Sequence, residues 1–130
     1  MNEEGPLILM VDDEAPFREI GRVILESNHY RVEEADNGEK GLQMAKELRP
    51  ALILLDMKMP GWTGSDTIQK LRETEETKNI PVVFLTSFGD ARVDFESDRH
   101  FAGEVGANDF VSKARLADDL LPRVNKILGK

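Results

Sequence analysis

Three continuous apolar runs punctuate the chain: Leu7–Val11 (LILMV), Ala51–Leu55 (ALILL) and Ile80–Leu85 (IPVVFL). Apolar runs of this length without polar alternation read as strands buried on both faces. Pro50 bounds the second run, and Pro81 sits at the start of the third, where a strand tolerates proline. Tyr30 and Val32 instead alternate with charged residues in YRVEEA, which predicts a strand exposed on one side, at a sheet edge. Asp109 to Ser112, with Phe110 and Val111 as its apolar content, predicts a short fifth strand.

Between these runs the spacing is helical. Phe17, Ile20 and Ile24 place one apolar face on a first helix that stops near Asn28. Asp36-Asn37-Gly38 is turn chemistry, and Leu42, Ala45 and Leu48 mark a second helix closed by Pro50. A third helix follows Gly64, capped by Ser65 or Thr63 and lined inside by Ile68 and Leu71. Its tail, RETEETKN, reads as a solvated charged segment. Gly89 to Val105 predicts a fourth helix, although Val93, Phe95, Phe101, Ala102 and Val105 make no clean stripe, and Gly106-Ala107-Asn108 reads as its stop. The last helix buries Leu120, Val124, Ile127 and Leu128; Pro122 requires either a kink or a helix beginning near that proline. Five strands alternating with five helices predict a doubly wound α/β fold, a parallel sheet with helices on both faces. With no internal repeat and no low-complexity linker, residues 1–130 read as one domain.

Composition narrows the function classes. The chain has 40% hydrophobic and 32% charged residues, as an ordered water-soluble domain does. Its 25 acidic residues against 17 basic ones, a formal net charge of -8, argue against sequence-independent nucleic-acid binding. The absence of cysteine excludes disulfides, thiolate metal sites and cysteine nucleophiles. MNEEGP does not resemble a signal peptide, and no apolar stretch approaches a membrane span, so the expected location is cytoplasmic.

Chemistry gathers where the strands end. The first leads into Asp12, Asp13 and Glu14, the third into Asp56, the fourth into Thr86 and Ser87, the fifth into Lys113. Parallel strands bring all of these to one sheet edge, where ligands bind in open α/β sheets. Crowded carboxylates raise one another's pKa unless a cation intervenes, and Mg2+ takes oxygen ligands from one or two carboxylates plus phosphate. A lysine and a hydroxyl supply neutralisation and a hydrogen bond to a phosphoryl group, and an aspartate can become an acyl phosphate. Taken singly, Asp56 reads equally as a turn residue, Asp12 and Glu14 as dipole partners of the first helix, Thr86 as a β-branched strand residue and Phe110 as core.

In order, Asp12-Asp13, Asp56 before MKMPG, Thr86-Ser87 and Asp109-Phe110-Val111-Ser112-Lys113 match the motifs of response-regulator receiver domains of two-component signalling, which essentially the whole chain resembles. The resemblance implies a CheY-like, flavodoxin-like sheet of strand order 2-1-3-4-5. It further implies that Asp56 accepts phosphoryl from a histidine kinase or phosphotransfer protein. Asp13, Asp56 and the Lys58 main-chain carbonyl would ligate Mg2+, with Asp12 helping through water. Thr86 would bond the phosphoryl group, Lys113 would pair with its oxygens, and Phe110 would turn inward, altering the face of the fourth helix, fifth strand and fifth helix. An output partner or domain, and dimerisation through that face, are further implications.

Four features depart from the family. Ala114 stands where proline usually follows the lysine with a cis bond; before alanine a cis bond costs about 3 kcal/mol, so the bond is either trans, with Lys113 displaced, or forced cis. The segment from Thr86 to Gly106 exceeds the family's usual spacing. Pro122 alters the last helix, and Lys58 stands two residues after Asp56, where its side chain can reach the site. The competing readings are a receiver-like binding module independent of phosphorylation and a small Mg2+-dependent phosphatase. The phosphatase lacks a second acid two residues after Asp56 and an evident cap, while P-loop and dinucleotide motifs are absent. Self-phosphorylation and self-dephosphorylation are expected, not turnover of an external substrate. His29 and His100 read as surface or loop residues, and Trp62 as a neighbour of the Asp56 loop. The chain reads either as a stand-alone regulator or as part of a longer protein.

Overall fold

The computed structural model describes residues 5–86 and 106–130. Its strands are β1 (Leu7–Val11), β2 (Arg31–Ala35), β3 (Leu52–Asp56), β4 (Val82–Thr86) and β5 (Asp109–Ser112). Its helices are α1 (Ala15–Glu26), α2 (Gly38–Leu48), α3 (Gly64–Glu73) and α4 (Leu116–Leu128), with a 3-10 turn over Lys113–Arg115. The strands form one parallel sheet in the expected order β2-β1-β3-β4-β5. The helix expected between Gly89 and Val105 lies outside the described residues, as do Ser87 and His100.

The continuous apolar runs are continuous because each strand feeds two cores. Ile8, Met10, Leu52, Leu54, Val83 and Leu85 join Leu25 of α1 and Leu116, Leu120 and Val124 of α4. Their neighbours Leu9, Val11, Ile53, Leu55, Val82 and Phe84 join Ala45 of α2 and Ile68 and Leu71 of α3. β2 is the edge that its alternation predicted, with Val32 and Ala35 buried and Arg31 and Glu33 exposed. Arg18 and Arg22 of α1 cover it by pairing with Glu34 at 2.9 and 2.6 Å.

The helices differ from expectation on their inner faces. Ile20 is 44% exposed and Leu48 is 42% exposed, whereas Gly21 and Gly41 are buried. A Cβ at Gly21 would stand 2.6 Å from the Met10 thioether, and one at Gly41 would stand 2.8 Å from Val11 Cγ2. The glycines let α1 and α2 approach the sheet closely; in α1 that contact line leaves Ile20 outward, while Leu48 shares the face of Gly41 but is the last residue of α2. Thr63, not Ser65, caps α3, in a reciprocal capping box with Asp66.

The tail of α3 is not simply solvated. Thr77 is fully buried, and the Arg72 guanidinium donates to the main-chain carbonyls of Thr77, Lys78, Ile80 and Gly106. α4 does not begin near Pro122; it starts at Leu116 and carries the proline inside. The buried Leu116 and Leu120 before the exposed proline, and Val124 after it, hold the helix through the missing hydrogen bond. There is no cis peptide among the described residues, so Lys113–Ala114 is trans.

Candidate functional site

The carboxyl ends of β1, β3 and β5 converge on one ammonium group. Asp12 follows β1; its amide donates to Ala35 O (3.0 Å), its Oδ1 accepts from Glu14 N (2.9 Å), and its carbonyl accepts from Arg18 Nη1 (2.7 Å). Asp56 closes β3, and its Oδ1 accepts from the Lys58 amide at 3.2 Å. Lys113 follows β5 in a 3-10 turn that the Ser112 side chain caps by accepting from Ala114 N. The trans bond after it does not displace the lysine from the edge. Its Nζ lies 2.8 Å from Asp12 Oδ2, 2.9 Å from Glu14 Oε1 and 3.2 Å from Asp56 Oδ2. The Phe17 ring closes another side, its centroid 4.6 Å from the ammonium.

The centre of the site is buried: the side chains of Asp12, Asp56 and Lys113 are 0%, 1% and 1% exposed. Burial, reinforced by the charge on Asp12, pushes the Asp56 carboxyl up to about 7 against the opposing pull of the Lys58 amide and Lys113. Burial also disfavours the charged form of Lys113, but its bonds to Asp12 and Glu14 outweigh this and hold it above the ordinary lysine range.

One lysine does not neutralise this edge. Asp12, Asp13, Glu14 and Asp56 each offer a carboxylate oxygen, all within 4.8 Å of one another, and Asp13 and Glu14 are exposed. An all-oxygen donor set with surplus negative charge, part of it forced toward protonation, suits a hard divalent cation such as Mg2+. Beside it, Thr86 ends β4 one residue beyond the partner of Asp56. Its hydroxyl is buried without a hydrogen-bond partner among the described residues.

Of the residues singled out from the sequence, Asp12 and Asp56 meet Lys113 directly, Asp13 offers a carboxylate oxygen within 4.8 Å of theirs, and Thr86 ends a neighbouring strand. Lys58 brings its amide to Asp56 and leaves its side chain exposed. Phe110, 5% exposed, packs in the core on the α2–α3 side. Sequence reasoning assigned no site contact to Phe17 or Arg18 and gave Glu14 no link to Lys113. The available signal was their position in the first turn after the acids, where Glu14 and Phe17 stand three residues apart and share a side. Gly64 was also missed: a Cβ there would stand 2.6 Å from Asp56 O and 2.7 Å from Met57 Cα, so glycine lets α3 start against the strand that ends in Asp56.

Comparison with known proteins bears on the family and the fold. The family model for the response regulator receiver domain matches residues 8–125. The phosphate regulon transcriptional regulatory protein PhoB of Pseudomonas aeruginosa is 38% identical over 127 residues, which are 97% of this chain and 53% of that protein. The DNA-binding dual master transcriptional regulator RpaA of a Synechocystis strain is 34% identical over 96% of this chain and 50% of its own length. The chain thus spans about half the length of the curated relatives it matches. Among solved structures, a putative response regulator from Chloroflexus aurantiacus superposes with a TM-score of 0.85 at 30% identity, covering 98% of this chain and all of that one. Vibrio cholerae CheY4 shares the fold, with a TM-score of 0.82 at 24% identity over 95% of this chain and 98% of that one. Motif order, sheet topology and the family match agree: the chain belongs to the response regulator receiver domain family.

Proposed function

We propose that this domain, taken as residues 1–130, is a phosphoryl-accepting switch in two-component signalling, with Asp56 as the acceptor. The observation that carries the reading is the buried Asp56 carboxylate, which shares the Lys113 ammonium with Asp12 at the edge of the sheet. An oxygen of Asp56 attacks the phosphorus of a phosphohistidine on a kinase or phosphotransfer protein. The oxygen–phosphorus bond forms as the donor's nitrogen–phosphorus bond breaks, leaving an acyl phosphate. Asp12, Asp13, Asp56 and the Lys58 carbonyl would hold Mg2+, which supplies positive charge to the carboxylate and to the phosphoryl oxygens.

The chain's own residues do the rest. Lys113 already lies 3.2 Å from Asp56 and offers ammonium donors to a phosphoryl group attached there. Thr86 has a buried hydroxyl with no partner among the described residues, and a phosphoryl group on Asp56 that accepts from it would favour the phosphorylated state. Thr86 moves toward the phosphoryl group, and Phe110, on the adjacent strand, relays that movement toward an output partner or domain. DNA binding is not assigned to this domain, and a kinase and an output partner are its expected contacts. It catalyses its own phosphorylation from that donor and its own dephosphorylation in the cytoplasm, and turns over no other product.

The test is intact mass after incubation with acetyl phosphate. One added phosphoryl group in the wild type with Mg2+, absent without the metal and in Asp56→Asn, is the expected result. No adduct, together with no binding of beryllofluoride, would replace this reading with a module whose partner contacts are independent of phosphorylation.

A further inference from the structure

We infer that Glu14 and Phe17, in the first turn of α1, are positioning residues that hold the Lys113 ammonium and set, in opposite directions, how readily an anion on Asp56 can engage it. The geometry stands without any functional assignment. The consequence for an anion rests on the reading of Asp56 as the phosphoryl acceptor.

Glu14 occupies the N-cap position of α1, where a side chain ordinarily accepts a hydrogen bond from its own helix, but it makes no such bond. A proline in the first positions of that helix removes one of the amides it would have served. The carboxylate goes to Lys113 instead, 2.9 Å away across 99 residues of sequence. Three residues on, the half-buried Phe17 ring presents its face to the same ammonium, 4.6 Å from its centroid. Aromatic faces attract ammonium groups at this separation.

The two contacts differ in kind. Glu14 carries a full charge and competes with any oxyanion for the donors of Lys113. Phe17 is neutral: it restrains the ammonium near the edge without occupying its hydrogen bonds. An anion arriving on Asp56 must therefore draw Lys113 partly away from Glu14, but it uses the restraint that Phe17 imposes. Glu14 lowers the affinity of the site for that anion, and Phe17 raises it.

NMR of metal-free protein labelled at the lysine ε-carbons tests the holding contact. The Lys113 ε-methylene protons should lie upfield of those of the other lysines, through the ring current of Phe17, and return to them in Phe17→Leu. An unshifted Lys113 signal in the wild type overturns the inference, whatever the protein does with phosphate. Beryllofluoride titration in Mg2+, followed by fluorine NMR, tests the consequence. Glu14→Gln should tighten binding about two- to fivefold, as expected for a half-exposed ion pair. Phe17→Leu should weaken it by about the same factor. Both effects should disappear in a Lys113→Gln background. Equal effects with and without Lys113 would mean that general charge or packing is responsible and would overturn the inference. A wild type with the upfield shift but no beryllofluoride binding would remove the phosphoryl reading while supporting the positioning contact.

Discussion

Asp56 shows what a charged residue costs when it ends an otherwise apolar strand. Its carboxyl, pushed up to about 7 first by burial and then by Asp12, keeps a proton that the unfolded chain has already released at pH above about 4. In metal-free protein the native state thus binds more protons than the unfolded state between those values, so this group's contribution to stability falls as pH rises through the window. Asp56→Asn should be more stable than the wild type at pH 8 by on the order of 4 kcal/mol, with the gap closing toward pH 4. Urea unfolding across that range without Mg2+ checks this, and a gap independent of pH would point to packing instead. Mg2+ needs the ionised carboxylate, so its apparent affinity should fall below pH 7 toward about tenfold per unit. Asp56 was legible in the sequence because an acid directly after a buried run has few places to go. The Glu14–Lys113 contact was not, because its partners are 99 residues apart and only the sheet order brings them together.

At the scale of elements, the strands followed from composition, while the helix faces depended on what glycine permits. A stripe drawn through apolar side chains alone misses Gly21 and Gly41, which are inward because they carry no side chain. The charged tail of α3 misled for a related reason: Arg72 looks solvated in sequence, yet its described partners are all main-chain carbonyls, and burial lowers its pKa. It binds the end of α3, the turn before β4 and Gly106, which takes a positive φ of 92° where the chain leads toward β5. Asn108 continues the connection, exchanging two hydrogen bonds with Val82 at 2.7 and 3.0 Å. Arg72→Gln should destabilise the fold by about 2–3 kcal/mol through the carbonyls left unpaired. Amide exchange should quicken at Val82 and Asn108 well before it does in β1; uniform acceleration across the sheet would show that the loss is not local.

For the molecule as a whole, the net charge of -8 is distributed so that a dense part of it meets at one edge of the sheet. Binding a cation there stabilises the native state by mass action, about 2.7 kcal/mol at a hundredfold excess over the dissociation constant. Thermal unfolding should show Mg2+ raising Tm in the wild type and much less in Asp13→Asn, while sodium chloride of equal ionic strength should not substitute. No helix among the described residues is long and apolar enough to cross a membrane. The Arg72 clasp has a further consequence at this scale. Thr86, where β4 ends, is held by its register with Ser112, and Gly106, ahead of β5, is held by the guanidinium. The guanidinium thus acts as a rivet: one side chain fastens the segments that enter β4 and β5, at the opposite end of those strands from Thr86 and Lys113.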